Sequence, residues 1–295
     1  MVYEDYNQLK ENIKHGDYML PIAEYGTEIP KNFSSFPMHW HEEMEIIKVH
    51  SGQFEVNINL KSYIVKAGEI VIIPPCTLHS FKQHEDNEMS SQSILFNMRL
   101  LGENIPDACT VKYLTPFTEG EYNYYPIIKK SDEGYNEILN DFENLVFCFK
   151  EKRNYFELQL KSILFKLQFD LFTFVLTKDG SRSEIKSEVI NNIKIILEEI
   201  KENYSEQISI DDLAKKLNFS KSHFMHYFKK HMGITCIEYI NEYRLNIAAK
   251  LLVSTDMTIT EIANKVGIEN CSYFNRLFKR AFDVSPSEHR KNGIK

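Results

Sequence analysis

Two groups of side chains in this sequence have the types and spacing to do chemistry. The first lies in the last third, where Ser222, Met225, His226 and Lys229 are answered fifty residues later by Ser272, Asn275, Arg276 and Lys279. At helical spacing each quartet faces outward, preceded by Lys221 in the first copy and Cys271 in the second. A helix laid in a major groove needs such a mixture, with donors and acceptors for base edges and cations for phosphates. The second group lies early. Side chains two apart on a strand point the same way, which puts His39, His41 and Glu45 on one face. His79 follows a strand-like run ending in Pro74-Pro75 and could meet them across a barrel.

The elements that must carry the first group form a repeat. Ile210, Leu213, Ala214 and Leu217 correspond to Ile259, Ile262, Ala263 and Val266 at an offset of 49. Beyond the turn, Phe224, Phe228 and Lys229 correspond to Phe274, Phe278 and Lys279 at an offset of 50, so one residue is added around Glu269-Asn270. Apolar positions kept while exposed ones drift mark one supersecondary unit used twice. Ser209 and Thr258 stand three residues before Asp212 and Glu261, a capping-box signal for each first helix. Asn218 and Gly267 suit a left-handed turn. Ser220 or Lys221, and Asn270 or Cys271, start each second helix, which the phenylalanines anchor to the core. Between the copies, Ile237 to about Val253 has helical periodicity. Seventeen residues rise roughly 25 Å, enough to hold two reading helices in successive grooves, which repeat at roughly 34–36 Å.

Over roughly the last hundred residues the chain resembles the AraC/XylS family of transcription regulators. In that family each recognition helix is followed by a Gly-x-Ser/Thr-Pro-x-x-Tyr-like segment. Here those segments run from Gly233 to Tyr239 and from Asp283 to Arg290, with Cys236 for the proline, Asp283 for the glycine and His289 for the aromatic. The resemblance implies sequence-specific binding to double-stranded promoter DNA, a small-molecule effector, homodimerisation, contact with RNA polymerase and, more often, activation.

From Met38 onward, short Ile- and Val-rich runs broken by Gly52, Gly68 and Pro74-Pro75 predict a β unit. It resembles the cupin barrel. His39, His41, Glu45 and Gly52 match the first cupin motif, and Gly68, Pro74 and His79 the second, with Cys76 for its inner glycine and Gln83 for its asparagine. The resemblance implies that His39, His41, Glu45 and His79 line an effector site, with a sugar or glycoside as the first class. The same four could hold one divalent ion, Zn, Ni, Mn or Fe. Effector binding with no required cofactor is the preferred reading. The rival, a metal-dependent cupin enzyme fused to DNA-reading units, is set aside, and no catalytic residue is assigned.

The net charge of −7 conceals an asymmetry: from Ile185 onward 17 Lys and Arg face 14 Asp and Glu, leaving 18 against 28 upstream. An acidic body repels DNA while the basic tail can approach it. Five scattered cysteines without a C-x-x-C pair fit reduced thiols, mostly buried and inert, in a cytoplasm. The start, MVYEDYNQLKEN, carries no secretory signal, and the apolar stretch Ile163–Leu176 is interrupted by Lys166, Gln168 and Asp170, so no membrane partner is expected. Helical stripes run from Ile138 to Phe149 and from Phe156 to Val175; dimer interface and monomer core both suit them. The expected fold class is therefore α+β. Residues 1–178 form a cupin-like β-barrel with accessory dimerisation helices, 179–186 a linker, and 187–295 an all-α domain of two helix-turn-helix motifs joined by a linker helix.

Overall fold

Along Glu43–Ser51, Met44, Ile46 and Lys48 alternate with Glu45, Ile47 and Val49, and all six are buried. A strand covered on both faces must lie inside the fold. The computed structural model describes residues 16, 19–29, 35–85, 88–102, 107–177 and 187–293. In it this strand, β3, is central to an antiparallel sheet of order β1 (Ile22–Ile29), β8 (Met89–Asn97), β3, β6 (Ile70–Ile73), β10 (Ile127–Ile128). A second antiparallel sheet has the order β2 (Ser35–His39), β7 (His79–Gln83), β4 (Gln53–Ile58), β5 (Lys61–Lys66). Ile47, Val49, Val71 and Ile73 from the first sheet meet Phe54, Val56, Ile58 and Val65 from the second, filling the space between them with apolar side chains. The predicted β unit is thus present, and β1 precedes it. Residues 1–15 and the linker 179–186 lie outside the described residues.

The other face of the first sheet carries Met44, Ile46, Ile70, Ile72, Ile94 and Phe96, which pack against helices α2 (Tyr135–Glu151) and α3 (Phe156–Phe174). A short α1 (Thr115–Thr118) and the strand pair β9 (Asn123–Tyr124) and β11 (Leu176–Thr177) complete this half. The predicted helical stripes supply its core through Ile138, Phe142 and Leu145 on α2 and Leu160, Leu164, Leu167 and Leu171 on α3. Where the two helices meet, Asp141 and Asp170 are buried together, with Lys166 3.7 Å from Asp141 and 2.5 Å from Asp170. Burial and the Asp170 carboxyl push Asp141 up to about 6, against the pull of Lys166. A carboxyl whose folded pKa is raised adds stability that is fully present below about 3.9, its unfolded pKa, and is lost as pH rises through 6. Asp141→Asn should therefore raise the melting temperature by about 2–4 °C at pH 7.5 and leave it unchanged at pH 4, in thermal scans at the two pH values.

The C-terminal half is helical: α4 (Ser187–Asn203), α5 (Ile210–Lys216), α6 (Lys221–Met232), α7 (Cys236–Ser254), α8 (Ile259–Lys265), α9 (Cys271–Phe282) and α10 (Pro286–Gly293). Helices α5/α6 and α8/α9 are the two expected helix-turn-helix units, and α7 joins them. No helix among the described residues is long and apolar enough to cross a membrane.

Candidate nucleic-acid interface and histidine site

Each turn forms as its residues require. Asn218 has φ 55° and Gly267 φ 80°, and both Phe219 N and Ile268 N donate back to the equivalent alanines, Ala214 and Ala263. The copies stay in step to that point. They diverge at Glu269, the added residue, before Ser220 and Asn270 cap the second helices by accepting from His223 N and Tyr273 N. Thr258 and Glu261 make the full capping box, whereas Ser209 accepts from Asp212 N and the Asp212 carboxylate pairs with Lys215 at 2.7 Å. A side chain one methylene shorter than glutamate does not close the box.

With Phe224, Phe228, Phe274 and Phe278 fully buried, the opposite faces are dictated. Lys221, Ser222, Met225, His226 and Lys229 are exposed on α6, and Ser272, Asn275, Arg276 and Lys279 on α9. Arg276 lies over the Tyr273 ring, 5.4 Å from its centroid. Two predicted contacts differ from the rest. Lys221 is engaged by Asp211 at 2.7 Å, so any phosphate must compete for it. Cys271 is half-buried, with its Sγ 3.8 Å from both Thr260 Oγ1 and Asn275 Nδ2, which makes it a tie between α8 and α9 more than an outward-reading group.

The departures from the family pattern are absorbed locally. Asp283 takes the left-handed conformation of the glycine it replaces, with φ 57°. Cys236 is buried at the first turn of α7, behind a capping box made by Thr235 and Glu238. His289 packs on Phe278 at 5.4 Å, as Tyr239 packs on Phe228 at 6.0 Å in the first copy.

At one end of the two-sheet half, His39 on β2 is paired in register with His79, the first residue of β7. The single-strand reading of His39, His41 and Glu45 needs correction. β2 ends at His39 and β3 begins at Glu43, so His41 sits in the bend between them, held by the Cys76 N–H that donates to its carbonyl at 2.8 Å. The bend and the neighbouring β7 bring the groups together all the same. Ring centroids are 4.1 Å apart for His39 and His79 and 4.9 Å for His41 and His79, and Glu45 Oε2 is 3.5 Å from His41 Nε2 and 3.6 Å from His79 Nε2. Each Nδ1 faces a backbone carbonyl, Pro37 O at 2.9 Å, Glu43 O at 3.0 Å and Thr77 O at 2.8 Å. A carbonyl only accepts, so each Nδ1 carries its proton and the neutral rings keep their lone pairs on Nε2. Burial lowers His39 to about 4, helped by the neighbouring His41 charge, and holds His79 well below the usual range. Burial also opposes charge on His41, but Glu45, by hydrogen bond and charge, and Glu43 outweigh it and raise that group.

Residues 21–167 match the AraC-like ligand binding domain and residues 213–292 a helix-turn-helix domain. "Probable transcription factor PqrA" of Proteus vulgaris is 40% identical over 89 residues, 30% of this chain and 73% of that protein. The chain belongs to the AraC family of transcriptional regulators. The HTH-type transcriptional regulator YdeC of Bacillus subtilis is 25% identical over 287 residues, 96% of each chain. The arabinose operon regulatory protein of Salmonella typhimurium is 23% identical over 241 residues, 81% of this chain and 80% of that one.

In this AraC-family chain two side chains that hold the DNA-binding units together escaped the sequence pattern. Arg244 donates to Tyr204 O at 2.7 Å and Glu206 O at 2.6 Å, closing the approach to the first unit. Arg290 does the same for the second, donating to Leu252 O at 3.0 Å and Met257 O at 2.5 Å. A Cβ on Gly267 would come within 2.8 Å of Tyr204 O and 3.0 Å of the Arg244 guanidinium, so the turn of the second unit rests on the clamp of the first. No local spacing marks them, because each arginine reaches carbonyls 33 to 40 residues away in the chain. Of the cysteines, Cys148 and Cys236 are buried, with burial pushing the Cys236 thiol up to about 12, while Cys109 is exposed.

Lys229→Ala should weaken binding to all DNA sequences about equally and reduce the slope of log K against log salt by about 0.9, the increment for one phosphate contact. Filter-binding titrations on specific and unrelated duplexes at four salt concentrations measure both quantities.

Proposed function

We propose that this AraC-family regulator is an activator that grips two successive major grooves with the outward faces of α6 and α9. Its contacts are Lys221, Ser222, Met225, His226 and Lys229 in one groove, and Ser272, Asn275, Arg276 and Lys279 in the next, with Cys271 steadying the second helix. The observation supporting this reading is the pair of exposed polar faces that recur at a fixed offset, each backed by two fully buried phenylalanines. DNase footprinting of the full chain on its promoter tests it. Protection spanning two grooves on one side of the duplex is expected, and a single-groove footprint would exclude the two-handed grip. RNA polymerase is the partner an activator requires, and the cytoplasm is where both are met.

The effector belongs at the polar end of the barrel, where His39, His41, Glu45 and His79 offer hydrogen bonds suited to the hydroxyls of a sugar or glycoside. The likeness to an arabinose operon regulator over four-fifths of both chains supports that class. Its relatives are transcription regulators, and the site is assigned to sensing and no turnover. A thermal-shift screen of the protein against sugars should show stabilisation that is absent in Glu45→Gln.

A second occupant is favoured by a specific observation. One ligand atom from each of His39, His41 and His79 lies within 4.8 Å of the others, and His79 Nε2 is buried with no hydrogen-bond partner among the described residues. The Nε2 to Glu45 separations of 3.5 and 3.6 Å are close to the edge of a tetrahedron about 3.4 Å wide, which follows from metal–nitrogen distances of about 2.0–2.1 Å. Backbone carbonyls at all three Nδ1 atoms are the outer contacts that metal-bound imidazoles use. The residues fit a divalent ion, which would supply positive charge and a cross-link between β2, β3 and β7.

For the dimer, the core stripes of α2 and α3 leave a different apolar face in solvent. Leu158 (72% exposed), Phe165 and Phe169 (62% exposed) lie seven and four residues apart on α3, away from the buried Leu160, Leu164 and Leu167. A second copy of the chain is the proposed cover. Phe169→Glu should convert dimer to monomer in sedimentation equilibrium while leaving the melting temperature within about 2 °C.

A further inference from the structure

We infer that a divalent cation on His39, His41, Glu45 and His79 loosens the docking of the DNA-binding half against the barrel, so that occupancy and docking oppose one another. The inference rests on the metal reading given above and extends it to regulation. Its basis is where the histidines sit. Met38 and Leu78, each adjacent in sequence to a site histidine, belong to the same buried cluster as Ile193, Ile196 and Ile200 of α4 and Tyr239 of α7, with Trp40 packed on its edge. The Tyr239 hydroxyl donates to Met38 O at 2.6 Å. The segments that carry the imidazoles are therefore the same segments that bind the DNA-binding half.

Charge decides the sign. Two lysines of the DNA-binding half are directed at this seam. Lys194 lies over the Trp40 ring, 5.1 Å from its centroid, and donates to Cys76 O in the turn that positions His41. Lys250 of α7 has its ammonium nitrogen enclosed and bears electrostatically on His39. The Glu45 carboxylate is the negative group nearest to the imidazoles and is only 7% exposed, with the Glu43 carboxylate 3.7 Å from His41 Nδ1. An ion held by these side chains would add positive charge at a site on which the Lys250 ammonium already bears, and beside the turn to which Lys194 donates. In a site shielded from water that repulsion is weakly screened. Ligation would also draw His39 and His79 toward one centre, pulling on Met38 and Leu78.

The test uses the full chain with zinc chloride alone. Equilibrium dialysis gives the stoichiometry, and amide hydrogen exchange with and without zinc gives the docking. The expected result is one zinc per chain, bound in a way that His79→Gln abolishes. Exchange should rise about tenfold or more in α4 and in residues 36–41, with β8 unchanged. Lys250→Met should bind zinc equally and show a smaller rise, since part of the repulsion is gone. Stoichiometric zinc with unchanged or slower exchange in α4 would overturn the coupling and leave the metal reading standing. Zinc uptake no different from that of His79→Gln would overturn both. Unchanged protection of β8 in each variant shows that the barrel has folded.

Discussion

Arg290→Ala is expected to destabilise the second helix-turn-helix unit by about 2–4 kcal/mol, because two hydrogen bonds from a charged group are lost and two carbonyls are left without that donor. The guanidinium joins Leu252 O, in the last turn of α7, to Met257 O, just before α8 begins. It thereby fixes the angle at which the linker helix hands over to the second unit. Losing it should speed amide exchange in α8 and α9 and weaken specific DNA binding about 30-fold or more, with α5 and α6 unaffected. Arg290→Lys should recover little, since a single ammonium cannot hold two carbonyls in the planar fork of a guanidinium. Urea melts and exchange on the three proteins decide the matter. A melt within about 0.5 kcal/mol of the parent would show the clamp to be idle.

Arg276→Ala is expected to remove discrimination at one base position, by about 1–3 kcal/mol or roughly 5–150-fold, while binding to unrelated DNA falls only by one cation's share. Arg276 is exposed on α9, and the Tyr273 ring beside it restricts the guanidinium before any contact is made. Ordering a side chain in advance reduces what binding must spend on it. Tyr273→Ala should therefore reproduce a weaker form of the same defect at the same base. Competition titrations with operators altered one position at a time, at fixed salt, make the comparison. If the preference profile of Arg276→Ala matched that of the parent, the second reading helix would be wrongly assigned.

The parts of this protein that were legible early are those set by local spacing. The duplicated helix pairs followed from apolar residues four apart and from caps three residues before an acid. Their turns needed only Asn218 and Gly267, residue types that tolerate positive φ. The Ile- and Val-rich runs broken by Gly52, Gly68 and Pro74-Pro75 likewise announced a β unit, while the central place of β3 in its sheet came only from the fold. The histidine set was found for a partly mistaken reason: strand periodicity put His39 and His41 on one strand, whereas a bend carries His41. The α3 stripe was identified as apolar, yet its exposed face at Leu158, Phe165 and Phe169 was not, because those residues differ from the core ones only in what stands opposite them.

By itself, then, the amino-acid order determined that a strand-rich half precedes a helical one, that one helix-turn-helix unit is used twice, and which four side chains could converge at the barrel end. Periodicity carries that information because it acts over three or four neighbours. Tertiary structure alone decided that Tyr239 would bond to Met38, 201 residues away, that Arg244 would clamp carbonyls 40 and 38 positions distant and Arg290 carbonyls 38 and 33 positions distant, and that Lys194 would lie beside Trp40. Such contacts depend on how completed elements pack, and no short-range pattern records which surfaces will meet.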